Sequence, residues 1–381
     1  MAAERETNFH SYLTREPVFL AGLTALAAVL FLAVTGLSRL YHAQQESLAN
    51  RWFNRGVMDM EAERFDRAVI EFRAALVYSR DDYSFQLNLA EALIGEKKAP
   101  EAYAYLINLW DREPEDGLVN LELARIAAQR GQTEQALRFY HNAIYAVWPA
   151  DQEEERRATR LELIRFLLKI NSKGQAQSEL IALAANLGEN ATDQANLGDL
   201  FVRAQDYEHA LAAYKLSLES ERHNARALAG AGQAAFDLAN YPLAYGYLQA
   251  AVGIDSGDTE SAKLLETTEL VLQMDPFQRS LSPAQQAQVV MTAFDTAGER
   301  LKACGNLNSF AYAAGSAPSL AGSWATMKPQ ITETRLRRNS DLVESAMELV
   351  FNIERQTSTT CGTATGKDEA LLLIGRLHEG S

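Results

Sequence analysis

The residues whose types suit catalysis or metal binding are few and scattered. The 381-residue sequence holds two cysteines and six histidines, and no pair of them has the spacing of zinc ligands. Gly362, Gly366 and Lys367 have the types of a phosphate-binding loop but not its spacing, because the motif needs four residues between its glycines and a Ser or Thr after the lysine. The short signatures of serine hydrolases, zinc peptidases and kinases do not occur either. The sequence therefore predicts no metal, no cofactor and no enzyme.

The two cysteines, Cys304 and Cys361, are predicted to form one disulfide in the C-terminal region. A small region with a long Gly- and Ser-rich connection has little core and gains from a cross-link. Since disulfides persist in oxidising compartments, this prediction implies an extracytoplasmic location. Two buried free thiols in a cytosolic domain are one alternative. An enzyme with its site around Cys361 and His378 is another.

The N-terminal part predicts a membrane anchor. Residues 18–37 are twenty residues without a charge, and about twenty helical residues cross a hydrocarbon core of roughly 30 Å. The run is longer than the apolar core of a signal peptide, and no typical cleavage site follows it. We expect a short tail over 1–17, a retained signal anchor over 18–37 and a linker or helix extension over 38–47. Charge is balanced on the two sides and leaves the orientation open.

The following part of the chain repeats every 34 residues. Small residues recur in two sets at this spacing: Gly56, Ala90, Ala124 and Ala68, Ala102, Ala136. A large residue stands four places after each member of the second set: Phe72, Leu106 and Tyr140. Two helices can cross closely where both present small residues, and the large residue fills the gap beside the crossing. The period therefore predicts a stack of helix pairs.

The pattern of Trp52 and Gly56 followed by Ala68, Phe72 and Ala75 resembles the tetratricopeptide repeat. The resemblance implies an all-α fold, a tetratricopeptide α-solenoid. It also implies a scaffold that binds other proteins, because solenoids present extended concave surfaces.

Six units are predicted over residues 48 to about 256, and a capping helix from Thr259 to Gln273 completes a solenoid over 48–276. After Pro149 the register slips by about six residues, and the fourth unit is weaker. Its apolar residues are Leu163, Leu167, Ala176, Leu180 and Leu183.

The last part, residues 277–381, does not continue the period and predicts a small helical domain. A first helix is expected to end at Cys304, and later helices are expected over 341–355 and 368–377. Between Gly305 and Pro329 the Gly-, Ser- and Ala-rich composition predicts a long irregular connection. Its aromatic residues are Phe310, Tyr312 and Trp324.

The resemblance places partner binding on the first helix of each pair, which lines the concave face in this family. Three asparagines stand there two residues before the small position, and an amide offers a donor and an acceptor to an extended peptide. The predicted partner-binding set is Asn54, Asn88, Glu91, Arg125, Asn196, Asp199 and Arg203. Family members that clamp a chaperone's C-terminal carboxylate use paired Lys and Arg on this face. Phe53, Glu91 and Glu122 stand here instead, so we expect no such receptor.

The net charge of the sequence narrows the class of partner further. The sequence has 36 basic and 50 acidic residues and a net charge of −14, so it lacks the basic footprint of a nucleic-acid-binding protein. We expect a single-pass protein of the bacterial inner membrane whose periplasmic repeats bind proteins or peptides in their groove. A self-assembling structural component, a homo-oligomer, is the alternative.

Overall fold

The computed structural model describes residues 6–146, 148, 152–304 and 319–378, and this part of the chain is helical without strands. The chain divides into two compact units between Phe166 and Leu167. The predicted all-α solenoid fold is confirmed.

A single helix, α1, runs from Glu6 to Glu61 and passes through the predicted anchor and the predicted linker without a break. An 18-residue window of it has a mean hydropathy of 2.3 and no buried residue. Large apolar side chains such as Phe19, Leu30 and Leu37 are more than half exposed. By length and composition this helix is a candidate membrane span.

The first unit consists of helix pairs in chain order. After α1 come α2 (Phe65–Tyr78), α3 (Tyr83–Gly95), α4 (Ala99–Arg112), α5 (Gly117–Gln129), α6 (Thr133–Tyr145) and the start of α7 (Glu153–Lys169). The end of α1 packs on α2, α3 on α4, and α5 on α6. The predicted small-to-large packing is present, because a Cβ added to Gly56 would lie 2.5 Å from the ring of Phe72.

The second unit continues the pattern with α8 (Lys173–Ala184), α9 (Ala191–Arg203), α10 (Tyr207–Ser220), α11 (Ala225–Asp237), α12 (Tyr241–Ile254) and α13 (Thr259–Met274). Helix α9 pairs with α10, and α11 pairs with α12. The first helices α9, α11 and α13 also contact one another in succession, so they line one side of the stack, which we call the inner face. The predicted capping helix is α13.

The period is visible in the turns as well. The residue that closes the turn inside each pair has a positive φ: Glu63, Lys97, Gly131, Asn171, Gln205 and Ala239. These residues are 34 apart except for Gly131 and Asn171, which are 40 apart and mark the predicted register slip. Five first helices begin at a side-chain N-cap: Asp82, Asp116, Asn190, Asn224 and Asp258. These caps are 34 apart, except that Asp116 and Asn190 are 74 apart, one period plus the 40-residue step.

The C-terminal region is helical, with α14 (Pro283–Ala303), α15 (Leu320–Met327), a short 3-10 turn (Lys328–Gln330), α16 (Glu333–Leu336), α17 (Ser340–Thr360) and α18 (Lys367–His378). It shares one hydrophobic core with the end of the repeats. Tyr241, Val271 and Met274 of the repeats belong to the same buried cluster as Phe294 and Leu371.

The predicted irregular connection up to Pro329 is wrong from Leu320 onward, where α15 forms. Ser319 caps this helix, and the indole of Trp324 donates to the carbonyl oxygen of Phe294 at 2.9 Å. The Trp324 ring also stacks on Phe294 and lies against Gly298, where a Cβ would be 2.3 Å away. This tertiary anchoring outweighs the Gly- and Ser-rich composition. Phe310 and Tyr312 lie outside the described residues.

Cys304 and Cys361 are the C-terminal caps of α14 and α17, and the structure joins them as a disulfide with their Cα atoms 5.6 Å apart. Helix α17 continues to Thr360, five residues beyond the predicted end at Arg355. The C-terminal ends of both helices therefore lie together. Oxidation of this pair in the cell stays a prediction.

Candidate functional site

In the first unit, charged side chains form a closed network on the first helices. The guanidinium of Arg125 on α5 donates to both carboxylate oxygens of Glu162 on α7, at 2.8 to 3.1 Å, and to Glu122 one turn back on α5. The hydroxyl of Tyr140 donates to Glu162 at 3.0 Å. Each of these two carboxylates therefore has a cationic or hydroxyl donor within the protein.

The pKa values in this network reflect burial and crowding. Burial, and next the negative charge of Glu122, raises the pKa of Glu91 to about 7. Burial also raises the pKa of Glu122, although Arg125 opposes the shift. Hydrogen bonding to Glu162 raises the pKa of Arg125, so this cation stays charged. Glu91 is therefore the carboxylate beside this network whose pKa lies near neutral pH.

Two predicted asparagines belong to this unit. The side chain of Asn54 on α1 is exposed. The amide of Asn88 donates to the backbone carbonyl of Ser84 in its own helix at 2.9 Å, so part of its hydrogen-bonding capacity is used within α3. The structure thus places Asn54, Asn88, Glu91 and Arg125 on first helices. The side chains of Asn88 and Arg125 are hydrogen-bonded within the protein.

The second unit has an open groove on its inner face, with a volume of about 720 Å³. It is lined by side chains of α9, α11 and α13, with contributions from α10 and α12. This volume lies within the range of ligand pockets. Phe236 and Leu264 supply apolar surface, and the lining carboxylates are Asp199, Asp237, Asp255, Asp258 and Glu260.

Three of the five carboxylates have partners. Asp199 accepts a hydrogen bond from the hydroxyl of Tyr214 at 2.5 Å and another from the guanidinium of Arg226. Asp255 accepts from the backbone N–H of Gly257, and Asp258 caps α13. Burial and the bond to Asp199 raise the pKa of Tyr214, so its hydroxyl remains protonated.

Asp237 and Glu260 differ from the other three, because among the described residues no hydrogen-bond donor and no cation is paired with their carboxylate oxygens. Asp237 is the last residue of α11, whose last turn holds no basic residue. Asp237 is exposed as a residue, and partial desolvation of its carboxylate raises its pKa. Glu260 is exposed in the first turn of α13.

Of the predicted residues in this unit, only Asp199 lines the groove. Asn196 and Arg203 are exposed on α9 but do not line it. Sequence reasoning missed Asp237 and Glu260. The 34-residue period offered the signal, since Asp237 follows Arg203 by one period and Glu260 follows Arg226 by one period.

The residues of the enzyme alternative have structural partners. Cys361 is joined to Cys304, and the ring nitrogen Nε2 of His378 lies 3.4 Å from a carboxylate oxygen of Asp275. Among the described residues, no group of three or more His, Cys, Asp or Glu side chains is arranged to hold a metal ion.

Comparison with known proteins agrees with the repeat architecture. Models of the tetratricopeptide repeat match residues 93–147 and 195–259. No curated protein matches the sequence. The first matched range runs from the last residues of α3 through α6, and the second runs from α9 through α12.

The chain is also similar to solved structures. YrrB, a TPR protein with an unusual peptide-binding site, is 15% identical with a TM-score of 0.41, over 50% of this chain and 95% of that chain. PilF of Pseudomonas aeruginosa is 16% identical with a TM-score of 0.41, over 57% and 97%. The C-terminal part of a TPR repeat-containing protein from Cytophaga hutchinsonii is 10% identical with a TM-score of 0.44, over 81% and 98%.

Proposed function

Because this chain carries tetratricopeptide repeats, we propose that it is a membrane-tethered scaffold that binds segments of other proteins on the inner face of its repeats. The observation that carries this proposal is the groove of about 720 Å³ along three successive first helices of the second unit. Stacked helix pairs offer such concave surfaces to extended partners. Exposed Asn196 and Arg203 extend the polar surface along α9 beyond the groove.

Tethering is supported by α1. An 18-residue stretch with a mean hydropathy of 2.3 and no buried residue has an apolar surface that hydrocarbon would cover. The same helix continues into the first repeat, so the anchor leads directly into the scaffold. We place the repeats on the extracytoplasmic side of a bacterial inner membrane, because a disulfide between Cys304 and Cys361 requires an oxidising compartment.

Photo-cross-linking in cells tests the binding surface. A photoreactive amino acid is placed at Gln233, which lines the groove, and at Leu216 on α10, which is 45% exposed and does not line it. Both positions lie in the second unit. We expect discrete adducts with another protein from position 233 and none from position 216. Equal adducts from both positions would contradict binding on the inner face.

Carbonate extraction tests the tether. The full chain should stay in the membrane pellet, with its N-terminus intact. Release with soluble proteins, or a mature N-terminus beyond residue 38, would show that residues 18–37 do not anchor the protein.

A further inference from the structure

The second-unit groove carries more negative charge than its own side chains neutralise. Five carboxylates line it against one guanidinium, that of Arg226. Arg226 is already paired with Asp199, and Asp255 and Asp258 are bonded to backbone N–H groups. Asp237 and Glu260 remain as carboxylates without a cation, and they stand on neighbouring first helices.

The position of Asp237 is electrostatically unfavourable in the free protein. A helix C-terminus carries partial negative charge, so a carboxylate in the last turn is repelled there and a cation is attracted. Helix α11 has no basic residue in that turn. Although Asp237 is exposed as a residue, partial desolvation of its carboxylate disfavours the charged form further and raises its pKa. A cationic group placed beside Asp237 would relieve both effects.

The remaining surface of the groove suits the stem of a long cationic side chain. Phe236 and Leu264 are partly buried apolar residues in the lining. Lysine and arginine place their methylene groups on such surface while the charged end stays in water, and an arginine also stacks on an aromatic ring. A bare metal ion would leave this apolar surface unused.

We infer that the second-unit groove binds a lysine- or arginine-containing segment of the partner protein, with Asp237 and Glu260 receiving the cationic side chains. This inference rests on the proposed function and specifies the chemical class of its partner. Charge complementarity makes such binding sensitive to salt, because partly exposed pairs are screened at high ionic strength.

Fluorescence anisotropy of the full chain in detergent micelles tests the inference. The probes are two labelled eight-residue peptides, one of alternating lysine and serine and the other of alternating glutamate and serine. The test variant combines Asp237→Asn with Glu260→Gln. The control combines Glu208→Gln with Glu219→Gln, which remove the same charge from exposed positions of α10 outside the groove.

We expect the lysine peptide to bind and the glutamate peptide not to bind at low salt. The test variant should weaken lysine-peptide binding by about tenfold, the size expected for two partly exposed ion pairs, and the control by less than about twofold. Neither substitution in the test variant removes packing, and Asp237→Asn removes an unfavourable charge, so its thermal unfolding temperature should be no lower than that of the unaltered chain. Equal weakening in both variants, or equal binding of both peptides, would overturn the inference. If position 233 still gives protein adducts in cells in that case, the scaffold function stands and only the basic class of partner is wrong.

Discussion

The two units use the carboxylates of their first helices differently. In the first unit, Arg125 bonds to both Glu122 and Glu162, so the charges are joined into an internal network. In the second unit, Arg226 serves Asp199 alone, and Asp237 and Glu260 face the groove without a cation. The same kind of repeat can therefore pair its carboxylates internally or leave some of them without a cation.

The second unit also contains helices that do not follow the repeat period. The last repeat of the second unit is covered by the C-terminal helices, which share a core with Val271 and Met274 of α13. A disulfide joins two of these helices. We infer that this closure stabilises a unit whose inner face carries unpaired charge, and the predictions below test each part of the contrast.

The largest effect is expected from the disulfide. Replacing Cys304 and Cys361 by serine, or reducing the bond, should lower the free energy of unfolding of the second unit by about 4 kcal/mol on the chain-entropy model, since 57 positions separate the two cysteines. Chemical denaturation with and without reductant measures it. Helix α5 of the first unit should keep its hydrogen-exchange protection. Two thiols free to alkylation in protein taken from its native membrane would show that the bond does not form.

The next effect concerns Glu354 on α17. Its side chain is fully buried, and neither carboxylate oxygen has a hydrogen-bond partner among the described residues. Burial, and next the charge of Asp368, raises its pKa to about 8 against the opposing effect of Arg300. Because this carboxyl is harder to ionise in the folded protein than in the unfolded chain, the fold is most stable at low pH, where Glu354 is protonated. This stability is lost as the pH rises from about 4.5, the ordinary pKa, to about 8, the pKa in the folded protein.

Replacing Glu354 by glutamine should therefore raise the free energy of unfolding at pH 8 by about 3 kcal/mol and change it little at pH 4.5. Denaturant unfolding at the two pH values provides the measurement. Glu348→Gln on the exposed side of α17 is the matched control and should change neither value. A pH-independent effect of the Glu354 change would contradict ionisation as its cause.

A larger side chain at a helix crossing should lower the free energy of unfolding of either unit by a similar amount. This substitution therefore provides a reference for the comparison of the two units. Ala68 and Ala210 are fully buried at the corresponding position of their helix pairs. Tryptophan at either position should cost about 1 to 3 kcal/mol, or more, because the side chain cannot fit without displacing the partner helix. Thermal unfolding with limited proteolysis should map the weakening to the altered unit. A neutral substitution at either site would mean that the helices there do not cross closely.

The smallest expected effect is the difference in stability between a variant at Arg125 and a variant at Arg226. Arg125→Met should destabilise the protein by about 1 to 2 kcal/mol, because it leaves the nearly buried Glu122 without its cation. Arg226→Met should cost less than about 1 kcal/mol, since that side chain is 57% exposed. Denaturation midpoints of the two variants measure the difference. Equal costs would mean that the second-unit pair is as important for cohesion as the first-unit network.

The helix pairs were predictable because close packing imposes a residue type at a fixed spacing. Gly56 and Phe72 illustrate this, since the ring occupies the space where a side chain at position 56 would stand. Helix α15 was not predictable, because its anchor is the contact of Trp324 with Phe294 and Gly298, residues far apart in sequence.

The candidate site was predictable only in part. Asp199 follows a small position of the repeat and was found by its register. Asp237 and Glu260 are candidates because no cation is paired with their carboxylates. Whether a carboxylate finds a cation depends on how neighbouring helices pack. The sequence shows their register but not that Arg226 is already used by Asp199.

Zero-length carbodiimide cross-linking of the lysine–serine peptide to the full chain, with mass-spectrometric mapping, tests the central contrast most directly. The chemistry joins a carboxylate to an amine that touches it. The account predicts adducts concentrated on Asp237 and Glu260, with none on Glu122 or Glu162, which are both paired with Arg125. Adducts on the first-unit network, or spread evenly over exposed carboxylates such as Glu219, would contradict it.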